Sequence, residues 1–404
     1  MNHRQRVLMA LSHQEPDRVP IDFGGTVDTT IQAVNYRKLR KHLGLDAGTT
    51  RVIDVHQQVA VIEKDVCQIL GSDVLPVLYE PREWRKGLLT DGSPAEFPAQ
   101  FLPQLQNDGS QVMLDEAGSV VARMPKNGHY FDPVYAPLAD ATSVRDIENH
   151  MADVENFDAP AYLDKSYEEL AQRAKELRAN TDYVLVGFFS GHLLQAALIL
   201  RGWETFFIDL MVNQTLAAAL MQRILEANLR RFERYAETVG PYIDVVMFED
   251  DLGMQDRPLV SPDLYRKMVK PYQKELFGFV KSRCDAYLFF HSDGAVASLI
   301  PDFIDMGVDI LNPVQVSAAG MDSRVLKREF GQDICFWGAG CESQSILPFG
   351  TPGDVTDEVK RRIDDLAPGG GFVFSTIHNV QNGVPPENVA TMFKTAQEYG
   401  VYYR

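Results

Sequence analysis

Several short apolar runs in this 404-residue sequence stop at residues able to do chemistry. AYLFFH (286–291) ends in His291, with Asp293 two residues on, and YIDVVMFE (242–249) ends in Glu249, followed by Asp250 and Asp251. VDILNP (308–313) carries Asn312, with Gln315 behind it. DICFWG (333–338) leads to Cys341, Glu342 and Gln344, and GFVFST (371–376) leads to His378, Asn379 and Gln381. Imidazole, thiolate and carboxylate make up the ligand set of zinc, and a catalytic zinc keeps three protein ligands and one open position. The H-x-D pair at His291 and Asp293 and the cysteine at 341 form such a set only if the fold closes the wide gap between them. Blander readings stand beside this one. His291 also fits a hydrogen-bonded strand-end histidine, Asp293 a helix cap, and Glu249–Asp251 a solvated loop. Cys341, between Gly340 and Glu342, lies in a loop where a merely buried thiol is less natural, whereas Cys67, Cys284 and Cys335 sit in apolar surroundings that read as core.

The elements that must position these groups alternate strand-like and helix-like stretches. From 183 onward YVLVGFF, YIDVVMFE, AYLFFH, VDILNP, DICFWG and GFVFST are each followed by a helical pattern. Ser261-Pro262-Asp263 supplies a cap, a first-turn proline and an acidic residue at a helix start, and Thr351-Pro352-Gly353-Asp354 opens another. Candidate strands at 18–24, 51–55 and 73–79 bring the total to about eight, which predicts a (β/α)8 TIM barrel of the α/β class. An open doubly wound sheet is the alternative, weakened because no G-x-G-x-x-G follows the first strand. Residues 80–135 break the rhythm with hairpin patterns around Asp91-Gly92 and Ala117-Gly118, predicting an antiparallel β insertion in one domain over 1–404. In a parallel barrel, reactive groups collect where strands end and loops begin, which is where the residues above lie.

Composition bounds the partners. With 39 basic against 56 acidic side chains the net charge is −17, which argues against a nucleic-acid partner. No run approaches the ~18 apolar residues that span a bilayer, and the N-terminal stretch is too polar for a signal peptide, so no membrane is expected. Four cysteines in a chain of this length do not read as a disulfide framework, and a reducing cytoplasm is the expected location.

The segments RVLMALSHQEPDRVPIDFGGT, DDLGMQDRPLVSPDLYRKMVKPYQKEL, FFHSDGAVASLIPDFIDMGVDILNPVQ, FWGAGCESQSILPFGTPGDV and PGGGFVFSTIHNVQNGVPPENV resemble the uroporphyrinogen decarboxylase superfamily in order and over nearly the whole chain. The resemblance implies a (β/α)8 barrel and one of two chemistries. Decarboxylation of uroporphyrinogen implies an N-terminal arginine cluster for the substrate's carboxylates, but the corresponding region here has Arg18 alone. The other branch consists of zinc- and corrinoid-dependent methyltransferases. By that resemblance His291 and Cys341 match metal ligands, Asp293 stands where a cysteine is usual, and Glu249 is a further candidate ligand. A carboxylate in place of a thiolate gives a harder, more Lewis-acidic Zn2+, suited to an ether or alcohol oxygen. The implied reaction moves a methyl group from a methylated small molecule, O-methyl before N-methyl, to the Co(I) corrinoid (cobalamin) of a partner protein. A second-step transfer to an acceptor is the alternative within this branch. No D-x-H-x-x-G occurs, so the corrinoid is expected on another chain, and a second copy of this chain is a further expected partner. His378 and Asn379 are the expected catalytic residues, with His192, Gln315, Gln344 and Asp250 expected to contact substrate.

Overall fold

The computed structural model describes residues 1–46, 48–115, 117–157 and 166–402. Seven strands pair in parallel, in chain order around the sheet: Val74–Val77, Val184–Ser190, Val245–Glu249, Tyr287–His291, Ile310–Asn312, Cys335–Ala339 and Phe372–Ser375. The segment 20–22 closes the ring. Asp22 N donates to Phe374 O at 2.8 Å, Phe374 N to Pro20 O at 2.9 Å, and Asp73 N to Ile21 O at 2.7 Å. The eight positions are those of the predicted (β/α)8 barrel.

Alternation within the strands sorts side chains by face, because successive residues point to opposite sides. Val74, Val184, Val186, Val245, Met247, Phe289, Ile310, Cys335, Trp337 and Val373 pack together as one buried cluster, the barrel lumen. Their neighbours Leu185, Val246, Phe248, Leu288, Phe290, Leu311, Phe336 and Phe374 face the helices in a second, larger core. The helix His3–Leu11 closes the floor, adding Val7 and Leu11 to the lumen cluster. Arginines tie that end down: Arg6 Nη1 donates to Asp73 Oδ1 at 2.7 Å and Arg18 Nη1 to Asp73 Oδ2 at 2.8 Å. Arg4 Nε donates to Asp244 Oδ1 at 2.8 Å.

The candidate strand at 51–55 is not a barrel strand. Thr50–Asp54 pairs antiparallel with Val59–Ala60 and parallel with Pro94–Pro98, in a separate four-stranded sheet with Trp84–Leu88. Its alternation is that of any half-buried strand, so pattern alone did not reveal which sheet it joins. The antiparallel region otherwise follows the expected hairpins: Trp84–Leu88 with Pro94–Pro98 around Asp91-Gly92, and Gln111–Leu114 with Val120–Met124 around Ala117-Gly118. Both expected helix starts are present, with Ser261 accepting from Leu264 N and Thr351 and Asp354 forming a capping box.

Candidate functional site

The inward parity that fills the lumen ends in a polar layer. Continuing 245, 247 gives Glu249, 287, 289 gives His291, and 310 gives Asn312, and these three lie side by side in register. His291 is buried, and its Nδ1 stands 2.6 Å from Asn312 Oδ1. Asn312 Nδ2 donates to Trp337 O at 2.8 Å, so its oxygen is the atom left to face the imidazole. In its neutral form His291 therefore carries its proton on Nδ1 and presents Nε2 as the free nitrogen, the arrangement in which a histidine serves as a metal ligand.

Loops add carboxylates around that nitrogen. Gly253 and Gly294 bring two loops into backbone contact: a Cβ on Gly294, whose φ is +88°, would lie 2.5 Å from the carbonyl carbon of Gly253. This contact sets Asp251 and Asp293 beside each other, with Asp293 N donating to Asp251 Oδ1 at 3.0 Å. Asp293 Oδ2 is 3.9 Å from His291 Nε2 and 3.9 Å from His378 Nε2. From the loop after 20–22, buried Asp28 reaches in, its Oδ1 3.4 Å from His378 Nε2 and its Oδ2 3.8 Å from His291 Nδ1. Asp28 Oδ2 has no hydrogen-bond partner although it is buried. Among the described residues, two sets of donor atoms lie within 4.8 Å of one another: Asp28, His291 and His378, and Asp251, His291 and Asp293.

The site is rich in negative charge. Burial alone would lower the His291 pKa, but Asp28, then Asp293, Asp251 and Glu249, reverse this and hold it at about 10. Burial raises the Asp293 carboxyl against the pull of His378 and His291, with Asp251 and Asp28 adding to the rise. A cation placed here relieves both the repulsion and the orphaned Asp28 oxygen. Two atoms each bonded at about 2.0–2.1 Å to a tetrahedral zinc stand roughly 3.4 Å apart, so donor atoms that lie within 4.8 Å of one another draw together by at most about 1.4 Å to hold it.

His291, Asp293 and His378 thus come together, but the other expected ligands do not join them. Cys341 is fully buried in the larger core. Inward parity runs through Cys335 and Trp337, but Gly338 (φ 134°) and Ala339 (φ 54°) turn the strand end, and Cys341, like Ala339, packs in the larger core instead of the lumen. Its charged neighbours include Glu358, Arg361 and Arg362 of the helix Pro352–Leu366, and burial keeps the thiol protonated. Glu249 faces the mouth but is paired with His192, Nε2 to Oε1 at 3.0 Å, while Ser190 Oγ lies 2.6 Å from His192 Nδ1. Asp250 has the opposite parity, facing away from the lumen. Its carboxylate accepts from Leu194 N, Gln195 N and Gln273 Nε2 at 2.7–3.0 Å, fastening the helix Leu194–Arg201 rather than a substrate. Gln315 and Gln344 both donate to Gln255 Oε1, at 3.0 and 3.1 Å, tying three mouth loops to one another. Asn379 is buried and bonded to Gln57 and Tyr130. Asp293 caps no helix, since the short 3-10 turn after it, Ala297–Leu299, has no side-chain cap.

Asp28, Asp251, Gln57 and Tyr130 were not singled out by the sequence as site residues. Asp251 was legible as the last of three acids at a strand end. Asp28, in GGTVDTTI, follows the first barrel position and was open to the same search, while Gln57 and Tyr130 come from the antiparallel region, where nothing in the pattern points at the mouth.

The family profile of uroporphyrinogen decarboxylase (URO-D) matches residues 136–399. No curated protein matches the chain. Among solved structures, a methyltransferase from Methanosarcina mazei superposes with a TM-score of 0.60 at 16% identity, covering 99% of each chain. A D-psicose 3-epimerase gives a TM-score of 0.35 at 13% identity over 62% of this chain and 84% of its own. A GH113 beta-mannanase from Alicyclobacillus acidocaldarius gives 0.33 at 12% identity over 57% and 79%.

Proposed function

The chain belongs to the uroporphyrinogen decarboxylase (URO-D) family, and from that premise we propose that it is a zinc-dependent methyltransferase acting with a corrinoid protein. The observation that carries this reading is the buried Asp28 carboxylate, whose Oδ2 lacks a hydrogen-bond partner and whose two oxygens face His291 and His378. His291, Asp28 and His378 are the proposed zinc ligands, and Asp293 and Asp251 line the open side. When bound, the zinc supplies Lewis acidity to the heteroatom of a methylated small molecule, preferably an ether oxygen, while Co(I) of the partner's corrinoid accepts the methyl group. Asn312 fixes the His291 tautomer. Asp293, within 3.9 Å of both imidazoles and partly exposed, is the proposed group to exchange a proton with the leaving oxygen. Four free, buried cysteines and the absence, among the described residues, of a helix long and apolar enough to cross a membrane support a cytoplasmic setting.

The charge pattern disfavours uroporphyrinogen as substrate. Arg18 lies at the floor with Asp73, at the opposite end of the barrel from His291, and the charges acting on His291 are those of four carboxylates. Such a mouth repels a polycarboxylate.

Metal analysis of the purified protein tests the proposal. One zinc per chain, lost in His291→Ala and Asp28→Ala but kept in Cys341→Ala, is expected, together with methylation of Co(I) cobalamin by a methoxylated aromatic compound. Metal-free protein, with turnover indifferent to these substitutions, would overturn it.

A further inference from the structure

Asp28 is the end of a hydrogen-bond chain that starts in the last mouth loop and passes through the antiparallel region. Gln381 Nε2 donates to Tyr130 Oη at 2.7 Å, and Tyr130 Oη donates to Asn379 Oδ1 at 3.3 Å. Asn379 Nδ2 donates to Gln57 Oε1, and Gln57 Nε2 donates to Asp28 Oδ1 at 3.3 Å. One residue sets the direction of every link. An ionised carboxylate only accepts, so Gln57 must turn its amino group to Asp28 and its oxygen to Asn379. Asn379 must then present its amino group to Gln57 and its oxygen to Tyr130, which is left to donate. The hydroxyl in turn accepts from Gln381.

We infer that Tyr130 is a positioning residue of the barrel mouth, acting through Asn379 and Gln57 to hold the Asp28 carboxylate in place. The inference rests on the proposed metal site and adds a regulator to it: the antiparallel region sets metal affinity without supplying a ligand. Hydrogen-bonded partners behind metal ligands fix carboxylate orientation, and their loss weakens metal binding by about 10–100-fold. The chain also accounts for Asn379, whose amide serves Asp28 rather than a substrate. Tyr130 and Gln57 flank it from outside the eight-position barrel, in connections between strands of the small sheets.

Cobalt(II) titration of the metal-stripped protein, followed by the visible d–d spectrum, tests this without turnover. Tyr130→Phe keeps the packed ring and removes the hydroxyl that donates to Asn379 and accepts from Gln381, and Gln57→Met keeps the length and removes the donor to Asp28. Wild-type protein is expected to bind one Co2+, and each variant to bind it about 10–100-fold more weakly, with an altered d–d band and an unchanged circular dichroism spectrum. Wild-type affinity and spectrum in either folded variant would overturn the role of Tyr130 while leaving the metal site intact. No Co2+ binding by the wild type itself would overturn both, so the two failures are distinguishable.

Discussion

The Asn312 carboxamide links His291 Nδ1, at 2.6 Å, to the Trp337 carbonyl, at 2.8 Å, so one buried side chain fixes the orientation of the imidazole. Asn312→Ala leaves a buried N–H and a buried carbonyl without partners. It should cost about 1–3 kcal/mol in urea denaturation. Metal affinity should also fall about 10–100-fold, as judged by competition with a chelator.

Gly294 tests the loop contact that joins Asp251 to Asp293. At its φ of +88° any Cβ is strained, and here it also meets Gly253 and Met254 backbone atoms at 2.5–2.7 Å. Gly92 has a similar φ of +80° with nothing within 4 Å of its would-be Cβ. Gly92→Ala should cost only the backbone term, about 1–2 kcal/mol. Gly294→Ala should cost clearly more, and should weaken metal binding as the two carboxylates part.

Asp250 predicts a pH dependence. Burial raises its carboxyl to about 6, against hydrogen bonds from Gln195 and Leu194 and the charge of His192. An unfolded aspartate titrates near 3.9, so the fold holds this proton more tightly than the unfolded chain. Its contribution to stability is complete below about pH 4 and is lost as pH rises through about 6. The stability of wild type minus Asp250→Asn, measured in urea, should therefore fall by about 2–3 kcal/mol from pH 4 to 6.5 and stay flat above. A flat difference throughout would contradict the raised value.

Asp73 anchors the floor. It is fully buried and bonded to Arg6, Arg18 and His3, and Arg18 and Arg6 help hold its carboxyl ionised while burial opposes them. Asp73→Ala leaves two guanidinium groups without their buried partner and should cost about 3–5 kcal/mol in urea denaturation. Cobalt affinity at the far end should be unchanged.

Most barrel strands and their ends were readable from the sequence, because burial on both faces writes long apolar runs and βα loops follow them. Those ends hold His291 and the neighbouring Glu249 and Asn312. The strand-end reading failed at Cys341, where Gly338 (φ 134°) and Ala339 (φ 54°) turn the chain out of the lumen. It also failed at 51–55, since alternation records burial but not which sheet accepts the strand. Gln57 and Tyr130 stayed hidden for a third reason. Each lies in irregular backbone, and their meeting depends on how loops far apart in sequence pack.

The plugged floor has a kinetic consequence. With Val7 and Leu11 packed into a lumen already filled by Phe289 and Trp337, nothing passes through the barrel. On the proposed function, small molecule and protein-borne cobalt then share one doorway. On the proposed reaction, the methyl donor has to be seated before the carrier arrives, because a docked carrier seals the entrance. Turnover should follow a compulsory order, with excess carrier inhibiting in competition with the donor.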